Sequence, residues 1–109
     1  MKTFVISCLL IVANAVSALA AQITVINSSD YVIHHFYVSP SKSRSWGPDQ
    51  LGKEIIGRAE RFTVRNIPDD TYDLKLIDED EDECIVENVE VSGTINWTLT
   101  DTVIENCVK

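Results

Sequence analysis

The chain has 109 residues, with 17 Asp and Glu against 9 Lys and Arg, a net charge of −8 at neutral pH and a pI near 4.5. That length supports one small domain, a size class that buries a low fraction of its surface and gains from a covalent staple. The acidic balance excludes nucleic acid and anionic membrane surfaces as partners, because binding phosphates requires clustered Lys and Arg.

The first element is a signal peptide, residues 1–20. Lys2 precedes a predominantly apolar stretch from Phe4 to Val12, and Ala18-Leu19-Ala20 places small residues three and one before a cut at Ala21. The stretch is well short of the roughly 20 residues that cross a bilayer, so it reads as a cleaved export signal rather than an anchor. The mature chain is therefore expected in the periplasm or outside the cell, with no membrane span of its own. Cys8 leaves with the peptide, and the loss of Lys2 makes the remainder still more acidic.

Residues 21–109 read as a single β domain. Ile23 and Val25 begin the pattern, and Asn27-Ser28-Ser29-Asp30 forms the first turn. From Val32 to Val38 the chain is apolar or aromatic on both parities, as in a central strand or one covered by the loop that follows. Ser39 to Gly52 is rich in Ser, Pro and Gly and reads as the main loop. Alternation then appears at Phe62 and Val64, at Tyr72, Leu74 and Leu76, and at Ile95, Trp97 and Leu99 with polar residues between. No helix signal follows the signal peptide. About seven short strands separated by turns argue an all-β, antiparallel two-sheet sandwich of immunoglobulin-like or related topology.

Two cysteines remain in the mature chain, Cys84 and Cys107. An even count in an exported protein predicts a disulfide, and closing that loop restricts the unfolded chain by about 3 kcal/mol. Neither cysteine has a second Cys or His at metal-ligand spacing.

Tyr37-Val38-Ser39-Pro40-Ser41, Trp46-Gly47-Pro48-Asp49, Leu51-Gly52 and Tyr72-Asp73-Leu74 running into Asp78-Glu79-Asp80 resemble a group of small exported bacterial proteins of unknown function. The resemblance covers most of the mature chain and implies a strand ending in Ser-Pro, a loop with Trp-Gly and Leu-Gly pairs, and a Tyr-Asp-Leu strand leading to an acidic turn. Where that group usually has two cysteines, this chain has Thr71 and Ser92, so Cys84 and Cys107 supply a different bridge. Where the group often has Gly, this chain has Glu81, which argues against a tight turn there.

The run Asp78-Glu79-Asp80-Glu81-Asp82-Glu83 is the dense charge feature. Asp78, Asp80 and Asp82, with Asp73 or Glu83 joining, are candidate ligands for calcium, the one cofactor the sequence suggests. On an extended strand alternate carboxylates stand ~7 Å apart, too far to share an ion, whereas folded into a loop they could converge; a solvated hairpin that protects a sheet edge, with no cofactor, is the reading the sequence favours over a calcium site. The EF-hand pattern is not met, since Val89 stands at the loop's twelfth place.

His34 and His35 are adjacent and on a strand cannot grip one metal together. Ser39, Ser41, Ser43 and Ser45 lie outside any Gly-x-Ser-x-Gly elbow, so no catalytic residue is assigned and the chain is not expected to be an enzyme. Trp46 is either an anchor for a protein partner or a cap on the open edge of the sandwich, with capping predicting a largely buried indole. The function expected is interaction or structural support outside the cytoplasm, with a calcium-binding module as the alternative.

Overall fold

A computed structural model describes residues 20–107; the expected signal peptide, residues 1–20, lies outside them apart from Ala20. Six strands follow in order: β1 (Ala21–Asn27), β2 (Ile33–Pro40), β3 (Arg61–Ile67), β4 (Asp70–Asp78), β5 (Glu83–Val91) and β6 (Thr94–Leu99). One short helix, α1 (Asp101–Cys107), completes the described chain. The strands form two three-stranded sheets, ordered β3-β1-β6 and β2-β4-β5. The small all-β two-sheet architecture is thus present, with six strands rather than about seven.

Pairing departs from the antiparallel expectation at one place, where β1 and β6 run parallel from Gln22↔Thr94 to Asn27↔Leu99. Alternating hydrophobicity reports which face a residue takes and carries no information on partner direction. The two inner faces meet through Ile23, Val25, Val64 and Leu99 on one side and Phe36, Leu74, Leu76 and Val91 on the other, all buried. Each such side chain contributes roughly 1.5–3 kcal/mol on burial. Phe36 reaches across to Trp97, with ring centroids 6.4 Å apart.

β2 is an edge strand, so the second of the two readings of its double-sided apolar pattern holds: the following loop covers it. Ile33 and Ile56 exchange backbone hydrogen bonds of 2.9 and 3.0 Å, and the Gln50 N–H donates to the Phe36 carbonyl at 2.7 Å. Asp49 then accepts from the N–H groups of Phe36 and Leu51 through one carboxylate oxygen, 3.0 Å each. The loop thereby satisfies an edge that would otherwise be open to another chain.

At the first turn, Asn27 is fully buried and its amide donates to the carbonyls of Tyr31, Ile56 and Gly57, while its own carbonyl accepts from the N–H and hydroxyl of Ser29. Two further asparagines, Asn66 and Asn88, take left-handed backbone (φ 59° each) where the β1–β3 and β4–β5 registers shift. Bulges of this kind favour Asn because its short polar side chain tolerates that conformation.

The helix α1 overturns the reading that the chain after residue 20 carries no helix. Thr100 caps it, its hydroxyl accepting from the Val103 N–H at 3.2 Å and its carbonyl from the Ile104 N–H at 3.0 Å. Seven residues are too few to display a periodicity or to be stable alone. Burial of Ile104 and the Cys84–Cys107 disulfide, with Cα atoms 5.1 Å apart, hold the helix against the sandwich.

Candidate metal centre

β4 ends at Asp78 and β5 begins at Glu83, so the acidic run is the connection between two paired strands. The Glu81 N–H donates to the Asp78 carbonyl at 2.9 Å, and the Asp78 N–H to the Asp82 carbonyl at 3.1 Å. Closing the turn requires left-handed backbone at Glu81, φ 66°. The turn is therefore tight despite Glu standing at the position, which corrects the expectation drawn from its lack of Gly.

The fold of this turn gathers the alternate aspartates. Asp78 Oδ1 accepts from the N–H groups of Asp80 and Asp82, at 2.9 and 3.0 Å, which wraps the turn around its carboxylate. One carboxylate oxygen each from Asp78, Asp80 and Asp82 then lies within 4.8 Å of the other two. Oxygens on opposite sides of a single calcium ion stand about 5 Å apart, so these positions are compatible with a shared ion. The separation of ~7 Å that an extended strand imposes does not apply here.

Asp78 is 3 % exposed, and its second oxygen, Oδ2, is buried with no hydrogen-bond partner. A carboxylate oxygen withdrawn from water and left unpaired is costly. No basic side chain offsets it: among the described residues no Lys, Arg or His pairs with this carboxylate. Glu79 faces elsewhere, its Oε1 accepting from the Val32 N–H at 3.0 Å while its own N–H donates to the Val32 carbonyl, which ties the turn to the start of β2.

The two extra ligands suggested by sequence do not join. Asp73 lies up the β4 strand, where Oδ1 accepts from the Ser41 hydroxyl at 2.7 Å and the Asn88 N–H at 2.9 Å, serving the bulge instead. Glu83 is exposed at the start of β5 and falls outside the cluster. Two residues that sequence reasoning missed lie beside the turn: Tyr31 and Glu105 line, with Asp78, Asp82 and Ile104, a cleft of about 190 Å³. The Tyr31 hydroxyl donates to Glu105 Oε2 at 2.9 Å, and that bond, with desolvation and the surrounding carboxylates, pushes its pKa from 10.0 up to about 12. The available signal was the disulfide, since Asp82 and Glu105 each precede a bridged cysteine by two residues.

The remaining site residues are placed as follows. Cys84 and Cys107 form the expected disulfide. His34 is exposed, and His35 Nδ1 lies 2.6 Å from Asp49 Oδ2. Burial works against ionisation of Asp49, but the Phe36 N–H, His35 and the Leu51 N–H outweigh it and hold the pKa below its usual 3.8. The loop serines are engaged locally: Ser39 and Ser43 donate to the Ser45 carbonyl, and Ser41 to Asp73.

Trp46 is partly buried. It lies on the outer face of the second sheet against Tyr37 (centroids 6.4 Å), with Lys75 Nζ 4.9 Å above its ring and 4.8 Å above that of Tyr37. Tyr37 and Lys75 are register partners on β2 and β4, so the indole extends a sheet face.

The sequence matches no protein-family model, and no curated protein or solved structure matches it. Among the described residues no helix is long and apolar enough to cross a membrane.

Proposed function

We propose that this chain is a non-enzymatic β-sandwich module acting in interaction or structural support outside the cytoplasm, and that a calcium ion held by Asp78, Asp80 and Asp82 is the ligand on which that role depends. The observation that carries the calcium reading is Asp78 Oδ2, a buried and unpartnered carboxylate oxygen in a residue whose other oxygen already organises the turn. A divalent cation supplies what the protein does not: positive charge beside three converging carboxylates. Hard oxygen donors of this kind select calcium, magnesium or manganese over softer-binding metals, and calcium tolerates an irregular, carboxylate-rich geometry best.

Support for a role without catalysis is the engagement of the loop serines with backbone and Asp73, which leaves His35 and Asp49 as a loop clamp. Support for action outside the cytoplasm is the disulfide, which persists in oxidising compartments.

Thermal melts in calcium and in chelator test the proposal. Saturation at a hundredfold excess over Kd stabilises a folded state by about 2.7 kcal/mol, a rise of roughly 10–20 °C for a domain of this size. The Asp80→Asn, Asp82→Asn double variant should lose that rise and, in chelator, melt at or slightly above wild type, because like-charge repulsion is relieved. A wild-type midpoint indifferent to calcium refutes the reading.

A further inference from the structure

The turn is not the whole of the site. Resting on the calcium reading above, we infer that Glu105 of α1 is a further ligand, so that the ion joins the C-terminal helix to the β4–β5 turn across the cleft they share. Asp78 and Asp82 form one wall of that cleft, and Tyr31, Ile104 and Glu105 complete it. The buried, unpartnered Asp78 belongs to the same wall, so the charge that lacks a partner and the helix carboxylate bound the same space.

Covalent and packing constraints fix this juxtaposition. The Cys84–Cys107 bridge sits two residues beyond Asp82 on one side and two beyond Glu105 on the other. Ile104, 2 % exposed, anchors the intervening turn of helix to the core, and the Asp30 N–H donates to Asp101 at 2.7 Å to hold its start. Glu105 can change rotamer without moving α1.

Glu105 stands outside the group of carboxylates already within 4.8 Å of one another, and its Oε2 accepts from the Tyr31 hydroxyl. Tyr31 thus holds a fourth carboxylate at the lining of the cleft. On binding, the Glu105 side chain turns toward the ion, and the exposed Tyr31 hydroxyl takes water in its place. Four carboxylates rather than three raise affinity through ligand charge, the variable by which calcium sites are tuned.

The test compares calcium titration calorimetry on wild type, Glu105→Gln and the Asp80→Asn, Asp82→Asn double variant, with melts of each in chelator. Glu105→Gln keeps an oxygen to accept from Tyr31, so it should melt with wild type in chelator while binding calcium about tenfold more weakly. The double variant should bind none. Terbium supplies a second readout: an ion in this cleft lies beside Tyr31, so phenol-sensitised emission should fall sharply in Tyr31→Phe with binding retained. Unchanged calcium affinity in Glu105→Gln overturns the inference while leaving the turn site intact. A loss of stability in Glu105→Gln that is equal in chelator and calcium overturns it too, by making the residue structural. Wild type that binds no calcium sinks this inference and the reading beneath it together.

Discussion

Glu81→Gly isolates the backbone of the acidic turn from its charge. At φ 66° an L-residue brings Cβ against the backbone, at a cost of about 1–2 kcal/mol, which Gly avoids. Against this, Gly orders at an entropic cost of roughly 0.5–1 kcal/mol, so the expected net stabilisation is about 1 kcal/mol. The one hydrogen bond at the position, from the Glu81 N–H to the Asp78 carbonyl, is made by the backbone and survives the change. Glu81→Ala serves as the control, removing the same exposed charge while keeping Cβ in the same conformation. Urea unfolding of both variants in chelator gives the comparison: Gly should exceed Ala by about 1 kcal/mol, a rise of roughly 4–8 °C in the corresponding melt. Equal stability of the two would refute the claim that left-handed strain, rather than charge, burdens this turn.

Cys107→Ser should cost about 3 kcal/mol, the entropy of freeing the loop from Cys84, and should expose Ile104 as α1 detaches; denaturant midpoints with and without reductant read the loss, and only wild type should respond to reductant. Asp49→Asn should destabilise by about 2 kcal/mol at neutral pH through the loss of a charged acceptor serving Phe36, Leu51 and His35. Because the folded pKa of Asp49 lies below 3.8, its contribution is complete above about pH 4 and is lost as pH falls through the folded value, so the gap between wild type and variant should close in acid. A gap that stays constant down to pH 2 would show that protonation of this carboxyl does not release the loop.

Alternation was a sound guide wherever a strand has one wet face. Tyr72, Leu74 and Leu76 are all buried on β4, and Leu99 is buried between exposed Thr98 and Thr100. It was silent on β6 lying parallel to β1, since direction of pairing leaves no mark on side-chain parity. The seven-residue helix was equally invisible, because one buried residue, Ile104, defines no period. The convergence of Asp78, Asp80 and Asp82 stays open in the sequence for a different reason: a Glu at 81 gives no hint that the chain turns left-handed there, and the backbone N–H groups that fold onto Asp78 are common to every sequence. Trp46 was read correctly as part of a reversing loop, but its docking on Tyr37 and Lys75 depends on a strand register that only the three-dimensional pairing reveals.

The parallel pairing of β1 with β6 also shapes how the chain acquires its structure. The first of the described strands, β1, is the centre of its sheet, flanked by β3 and by β6, the last of them. A polypeptide emerging N-terminus first therefore releases this central strand before either neighbour and must wait for Thr94–Leu99 before it is enclosed. The β4–β5 hairpin, whose partners are separated by a single turn, closes at much lower loop entropy and is placed to form earlier. Contacts of such long sequence separation make folding slow, and until β6 arrives one side of β1 remains a template for the wrong strand.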